Sequence, residues 1–229
     1  PDTPSGVVYG SVLKRALNGS VLVGSGKYLT TADSADWALG ATYTIEAWIY
    51  PLSPFNSENC IVSHGASGWT MFQEANHRLK FTTAAGASVE SDSYHAVPYT
   101  WNHVAFVGDG GTAQWYINGE LSGNSGSCTI ADYSSVLEIG RESTDNNYYT
   151  GYISNLRIVK GTALYTSNFN PPISPFTNIT NTKLLCCQAT NTPSAAAVSP
   201  NISGINDGTP WSYYTVGESL YGGTPNAFD

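Results

Sequence analysis

Two glutamates sit inside strongly apolar stretches: Glu46 within Tyr43-Thr44-Ile45-Glu46-Ala47-Trp48-Ile49-Tyr50, and Glu138 within Leu137-Glu138-Ile139. Glycoside hydrolysis needs two carboxylates facing one cleft, one as acid and one as nucleophile or base. On a strand such a pair would stand at alternate positions, because successive side chains point to opposite faces. Glu46 has Thr44 and Trp48 at those positions, Glu138 has Val136 and Gly140, and no Glu-x-Asp-x-Glu pattern occurs. A glycosidase is therefore not expected. Ser63-His64 sets a hydroxyl beside an imidazole, but Gly65-Ala66-Ser67-Gly68 fails the nucleophile-elbow pattern and lacks its strand-to-helix setting. The four cysteines form no C-x-x-C pair, so a zinc site has little support. Adjacent Cys186 and Cys187 should point opposite ways along a strand, as buried free thiols rather than a strained vicinal disulfide.

Saccharide sites place exposed aromatics beside amide and carboxylate groups. Trp69, Tyr148, Tyr149, Trp211, Tyr213 and Tyr214 are the candidates. Tyr and Trp are equally at home in protein interfaces. For the group Trp211 to Tyr214, packing on the body of the protein or on a neighbouring chain outweighs sugar. His103, inside an apolar run, reads as a satisfied structural histidine rather than a base. Arg157, inside a strand, needs a carboxylate or backbone carbonyls, because a buried unpaired guanidinium is costly.

The elements that must position these groups are strands. Charged residues are 11% of the 229, against roughly 25% in an average soluble domain. Gly, Pro, Tyr, Ser, Thr and Asn take their place, which argues against helical bundles with Glu/Lys/Arg faces. A hydrophobic content of 41% argues against disorder. Nine basic residues against 17 acidic ones, net −8, leave no basic footprint for nucleic acid. No apolar run of 18 residues exists to cross a membrane as a helix. The chain starts at Pro1 without Met or a signal-peptide pattern, so a processed or truncated piece is expected.

Strands are predicted over 43–50, 60–63, 69–72, 79–83, 101–107, 114–117, 135–139, 151–159 and 183–187, broken by Gly, Asn, Ser and Pro. Asn118-Gly119 tolerates the positive φ values of a type I′ turn and predicts a hairpin. Short strands at this spacing, without helical periodicity, predict a β-sandwich or barrel. The stretch 191–210 is rich in Asn, Pro, Ser and Ala, carries only Asp207 as a charge, and reads as a linker or an ordered surface strap. Residues 211–216 then restore an aromatic, strand-like patch.

Three blocks resemble the concanavalin A-like lectin/glucanase sandwich of the laminin-G-like group. They are Lys27-Tyr28-Leu29-Thr30 with Thr42 to Pro51, Trp101-Asn102-His103-Val104-Ala105-Phe106 with Trp115 to Gly119, and Leu137 to Gly140 with Gly151 to Ile158. The resemblance covers roughly residues 20–190 and implies an all-β fold: a two-sheet antiparallel jelly-roll sandwich over 1–190, with a C-terminal extension over 191–229. Arg157-Ile158-Val159-Lys160-Gly161-Thr162-Ala163-Leu164-Tyr165, with Phe169-Asn170-Pro171-Pro172 and Pro175-Phe176, is similar to an ending common in virion proteins of tailed phages, marine ones especially. Gly223 to Asp229 resembles the opening of a further module.

The resemblance implies a non-enzymatic virion module on the particle surface: a fibre, capsid protrusion or decoration, attaching to a host surface or serving assembly. Its partners would be other virion proteins, copies of itself and a host-surface glycan. The alternative is a secreted or cell-surface carbohydrate-binding lectin domain. Many laminin-G-like domains hold a calcium ion in a rim loop. Asp145-Asn146-Asn147 is the first place to expect one, with Asp145 and Asn146 as ligands, and Asp109 is the second. Turn chemistry explains Asp and Asn at both places equally well.

Overall fold

A computed structural model describes residues 19–52, 58–65, 68–93, 96–142, 147–206 and 208–211. The strands in chain order are β1 (Val21–Val23), β2 (Tyr28–Thr31), β3 (Tyr43–Pro51), β4 (Asn59–Ser63), β5 (Trp69–Gln73), β6 (Leu79–Thr83), β7 (Ser88–Glu90), β8 (Asn102–Asp109) and β9 (Thr112–Ile117). They continue as β10 (Glu120–Ser127), β11 (Leu137–Ile139), β12 (Arg141–Glu142), β13 (Asn147–Tyr148), β14 (Gly151–Lys160), β15 (Thr182–Cys186), β16 (Ala196–Val198) and β17 (Ile202–Ile205). The one helical element among the described residues is a single 3₁₀ turn, Ala35–Trp37, too short to cross a membrane.

Two sheets form the sandwich. The first runs β10-β9-β8-β3-β14-β15-β16, with β1 continuing the β15 edge of β14. The second runs β17-β2-β11-β4-β5-β6-β7, and the β12–β13 hairpin joins β4 beside β11. Pairings are antiparallel except for one parallel bridge between Tyr148 and Cys60. Between the sheets lies one continuous apolar cluster that includes Ile45, Ala47, Ile49, Phe81, Val104, Phe106, Trp115, Leu137, Ile139 and Ile158. These are alternate residues of their strands, as a sheet with one face on a core requires. The 118–119 hairpin forms as predicted, with φ of 52° at Asn118 and 85° at Gly119. Gly119 has a second reason to be glycine: a Cβ there would overlap the Phe169 carbonyl.

Trp48 and Trp101 are buried on the outer face of the first sheet, with Tyr152, Phe176 and Leu185, and not between the sheets. Two expectations change. Cys186 and Cys187 do not point apart: both join the intersheet cluster, their Sγ atoms 3.5 Å apart. The reason is that β15 ends at Cys186 and Cys187 takes φ 62°, which turns its side chain back to the same side. The stretch 191–210 contributes edge strands, β16 to the first sheet and β17 to the second. The sandwich therefore reaches beyond residue 190.

Candidate functional site

Alternation along β3 sends Thr44, Glu46 and Trp48 to the outer face of the first sheet, opposite the core-facing Ile45 and Ala47. Register places Glu46 between Ala105 of β8 and Arg157 of β14. One Glu46 oxygen accepts Arg157 Nε–H at 2.8 Å and Nη2–H at 2.5 Å; the other accepts the Tyr165 hydroxyl at 2.8 Å and His103 Nε2–H at 3.2 Å. Arg157 completes itself by donating to the Thr177 carbonyl at 3.1 Å and lying 4.6 Å over the Phe176 ring. His103 and Glu46 are fully enclosed. Burial pushes the Glu46 carboxyl up, but the His103 hydrogen bond and the Arg157 charge prevail and hold it below its ordinary value. The same burial and the adjacent Glu46 charge keep the Tyr165 phenol protonated, as a donor.

The lid of this network is the long connection from β14 to β15, residues 161–181. A connection of this length without regular structure is unusual in a compact domain, and commonly serves a site. It is fastened at intervals. Thr44 Oγ1 donates to the Thr162 carbonyl and accepts Leu164 N–H, both at 3.0 Å. Phe169 N–H reaches the Gly119 carbonyl at 2.9 Å, and Asn168 accepts Leu121 N–H at 2.9 Å. Phe176 N–H donates to Asn155 at 2.8 Å, and Gln188 bridges Asn155 and the Phe176 carbonyl. Asn155 is placed for this by a φ of 52° within the break of register between β14 and β3. Tyr165 stacks on Phe169 at 3.6 Å and 5°, and both pack on Ala105, Val107 and Tyr116.

The surface clefts lined by described residues include two of interest. One, of about 350 Å³, lies where edge strand β7 meets edge strand β10, beside a bulge at 123–125. Its charged groups are engaged: Arg78 pairs with Glu74 at 2.5 Å and Glu90 at 2.6 Å, and Asp92 accepts Gly123 N–H at 2.9 Å. The other, of about 180 Å³, lies on the outer face of the first sheet at the end of the lid. Val107, Asp109, Thr112 and Gln114 form its floor and Tyr165 and Thr166 its wall.

The sequence-derived candidates divide sharply. Trp69 and Tyr149 are buried, so they are core residues and not rim aromatics. Tyr148 is half-buried beside Tyr28, with Arg141 over both rings at 5.6 and 4.5 Å. Trp211 is half-buried and packs on the sandwich against Gly204 of β17, where Lys27 Nζ reaches the Pro210 carbonyl at 2.9 Å. Tyr213, Tyr214, Asp145 and Asn146 lie outside the described residues. Around the expected calcium loop, Glu142 and Asn147 face each other across the β12–β13 hairpin. Among the described residues no three His, Cys, Asp or Glu side chains gather as a metal cage. Ser63 donates to the Arg141 carbonyl at 3.0 Å, while His64 turns to Asp33 and the Ser135 carbonyl, so the two form no nucleophile–base pair.

A family model described as the concanavalin A-like lectin/glucanases superfamily, laminin-G type, matches residues 23–164. The chain belongs to this superfamily. No curated protein matches the sequence. Among solved structures, this concanavalin A-like domain resembles a Bacteroides ovatus protein provisionally described as carbohydrate-binding, with a TM-score of 0.66 at 16% identity over 87% of the chain. The chain spans 60% of that protein's length. A heptameric SAP-like pentraxin of Limulus polyphemus gives 0.50 at 13% identity, covering 84% of this chain and 97% of the pentraxin. A botulinum neurotoxin serotype D binding domain gives 0.50 at 17%, covering 65% of this chain and 40% of that one. At these identities the likeness is one of fold.

The family match stops at Leu164, one residue before Tyr165. Most of the lid of this concanavalin A-like domain, and the wall of its smaller cleft, therefore lie beyond the matched core. Sequence reasoning reached Glu46, His103 and Arg157 singly. What it missed was Tyr165 as their fourth member, for which the only local signal was an aromatic in a Pro/Asn-rich run.

Proposed function

We propose that this chain is a non-enzymatic adhesion and assembly module of a tailed-phage virion, displayed on the particle surface as part of a fibre, protrusion or decoration. The observation that carries the non-catalytic half is the state of Glu46. Four donors from Arg157, Tyr165 and His103 hold both of its oxygens beneath a lid, so it has no free lone pair or proton to offer a glycosidic bond. Glu138, the other carboxylate in an apolar strand, flanks core-facing Leu137 and Ile139 and so stands on the outer face of the opposite sheet. Two carboxylates on opposite outer faces are too far apart to act on one bond.

The virion half rests on the similarity of residues 157–176 to an ending common in phage particle proteins. The fold supports a binding role, since the superfamily's name joins lectins to glucanases. The partners under this reading are other virion proteins, copies of the chain and a host-surface glycan. The terminal group Trp211, Tyr213 and Tyr214 is the contact to a glycan or a neighbouring subunit, Trp211 through the part of its ring that the sandwich leaves uncovered. Any calcium would bind through Asp145 and Asn146; a chelator that leaves the melting temperature and binding unchanged removes it from the account.

The test pairs imaging with binding. Gold-labelled antibody against the chain should decorate intact particles, and the purified chain should bind glycans on an array while releasing no reducing ends from polysaccharides. Array binding without particle labelling would favour the secreted or cell-surface lectin. Release of reducing ends would overturn the non-enzymatic reading.

A further inference from the structure

The smaller cleft differs from the larger one in the state of its polar groups. Val107 and Gln114 face each other across β8 and β9, as do Asp109 and Thr112, so four side chains form a square on the outer sheet face. The Asp109 carboxylate and the Thr112 and Thr166 hydroxyls make no hydrogen bond or ion pair with the described residues. Gln114 donates through its nitrogen to Tyr116, which leaves its carbonyl oxygen to accept. Against these stands the flank of Tyr165, held rigidly by its stack on Phe169 and its hydroxyl bond to Glu46. Here Val107 and an aromatic ring meet a carboxylate, an amide oxygen and two hydroxyls that make no hydrogen bond with the described residues, the amide nitrogen being held by Tyr116.

We propose that this cleft is a subsite for a single neutral pyranose ring, resting on the reading of the module as adhesive. A volume of about 180 Å³ falls below the roughly 300–1,000 Å³ of drug-sized pockets, so it takes one ring and not a chain. The aromatic flank and Val107 meet the apolar C–H face of a sugar. Asp109 accepts two vicinal hydroxyls, and Gln114, Thr112 and Thr166 bond those beside them. The carboxylate, on a chain of net charge −8, excludes sialic and uronic acids. The buried Glu46 network acts on this site only through Tyr165, whose ring it fixes before any ligand arrives.

Isotope-labelled full-length chain titrated with methyl α-D-glucopyranoside, methyl α-D-mannopyranoside and methyl β-D-galactopyranoside tests the assignment by amide shifts. N-acetylneuraminic acid is the anionic control. At least one neutral pyranoside should saturably shift the Thr112, Gln114 and Thr166 amides. Asp109→Ala should weaken that binding about tenfold or more, as loss of hydrogen bonds to a charged acceptor does. Leu121→Ala, at an exposed position outside the cleft, should leave it unchanged. No saturable shift at those amides, equal binding of the acidic sugar, or binding indifferent to Asp109→Ala would each overturn the proposal. Glycan-array binding that survives Asp109→Ala would sink the subsite alone and leave the adhesive reading standing. Absence of all array binding and all particle labelling would sink that reading.

Discussion

Glu46 and Arg157 show how one buried charge pair can dictate a surface. Removing either partner leaves an enclosed charge uncompensated, which typically costs about 3–5 kcal/mol. Arg157→Ala should therefore lower stability by about that amount in denaturant titration, whereas a shift under 1 kcal/mol would show that water reaches Glu46. The pH dependence has a definite sign. The folded-state Glu46 pKa lies below its ordinary 4.5, so its contribution is complete above 4.5 and fades as pH falls through the lowered folded value. Melting curves of the native chain and Glu46→Gln should run parallel at neutral pH and converge below that point. Curves that stay parallel into strong acid would contradict the assignment. Gly119→Val meets two obstacles, a positive φ and the Phe169 carbonyl. It should destabilise more than a turn-only defect and also loosen the lid, which faster amide exchange at Phe169 would report.

Among the elements, the lid does what a third layer does elsewhere: it covers an apolar sheet face that would otherwise meet water. Phe176 of the lid packs with Trp48, Trp101 and Tyr152 of the sheet face. Trp48→Ala should cost about 3–5 kcal/mol, as truncation of a buried aromatic does. A mutant with native melting behaviour would place Trp48 outside the packed layer. The C-terminal edge strands are a separate device. β16 covers part of β15 and β17 pairs with β2 over four residues, Ile202 with Thr31 through Ile205 with Tyr28. Truncation after Gln188 would expose both edges and remove Trp211 from the core margin. It should lower the melting temperature by several degrees, at roughly 2–4 °C per kcal/mol for a chain of this size, and promote self-association through the bare edges. A truncate that keeps the native assembly state and melting temperature would reduce 191–229 to a tether.

At the scale of the whole molecule the intersheet cluster is continuous from β1 to Cys187, so the sandwich should unfold as one unit. The four thiols report on this directly, because all are buried and free. The contact with Cys187, together with burial, holds the Cys186 thiol well above its ordinary pKa, which suppresses the reactive thiolate. Thiol labelling should be slow in buffer, and Cys128, Cys186 and Cys187 should become reactive at the same denaturant concentration. Earlier exposure of Cys186 and Cys187 than of Cys128 would mean that β15 and the lid open separately from the rest.

The all-β class, the long central strands and the Asn118-Gly119 turn were legible in the sequence, because alternation and turn chemistry are local and the residues concerned are unambiguous. So was the need of Arg157 for a carboxylate, which follows from the cost of burying a lone guanidinium. The short strands β1, β7, β12, β13, β16 and β17 were not legible, since runs of two to four residues carry too little alternation to read and become strands only when a neighbour offers its free backbone. Identity of residue type also left open which aromatics face water. Trp69 and Tyr149 went to the core while Tyr165 went to a cleft, and only packing distinguishes them. Composition and alternation could thus specify a sandwich. Which face a lid covers, which carboxylate it locks and which one, Asp109, it leaves unpaired depend on contacts between residues over a hundred positions apart, such as Glu46 with Arg157, and those exist only once β3 and β14 have paired within the first sheet.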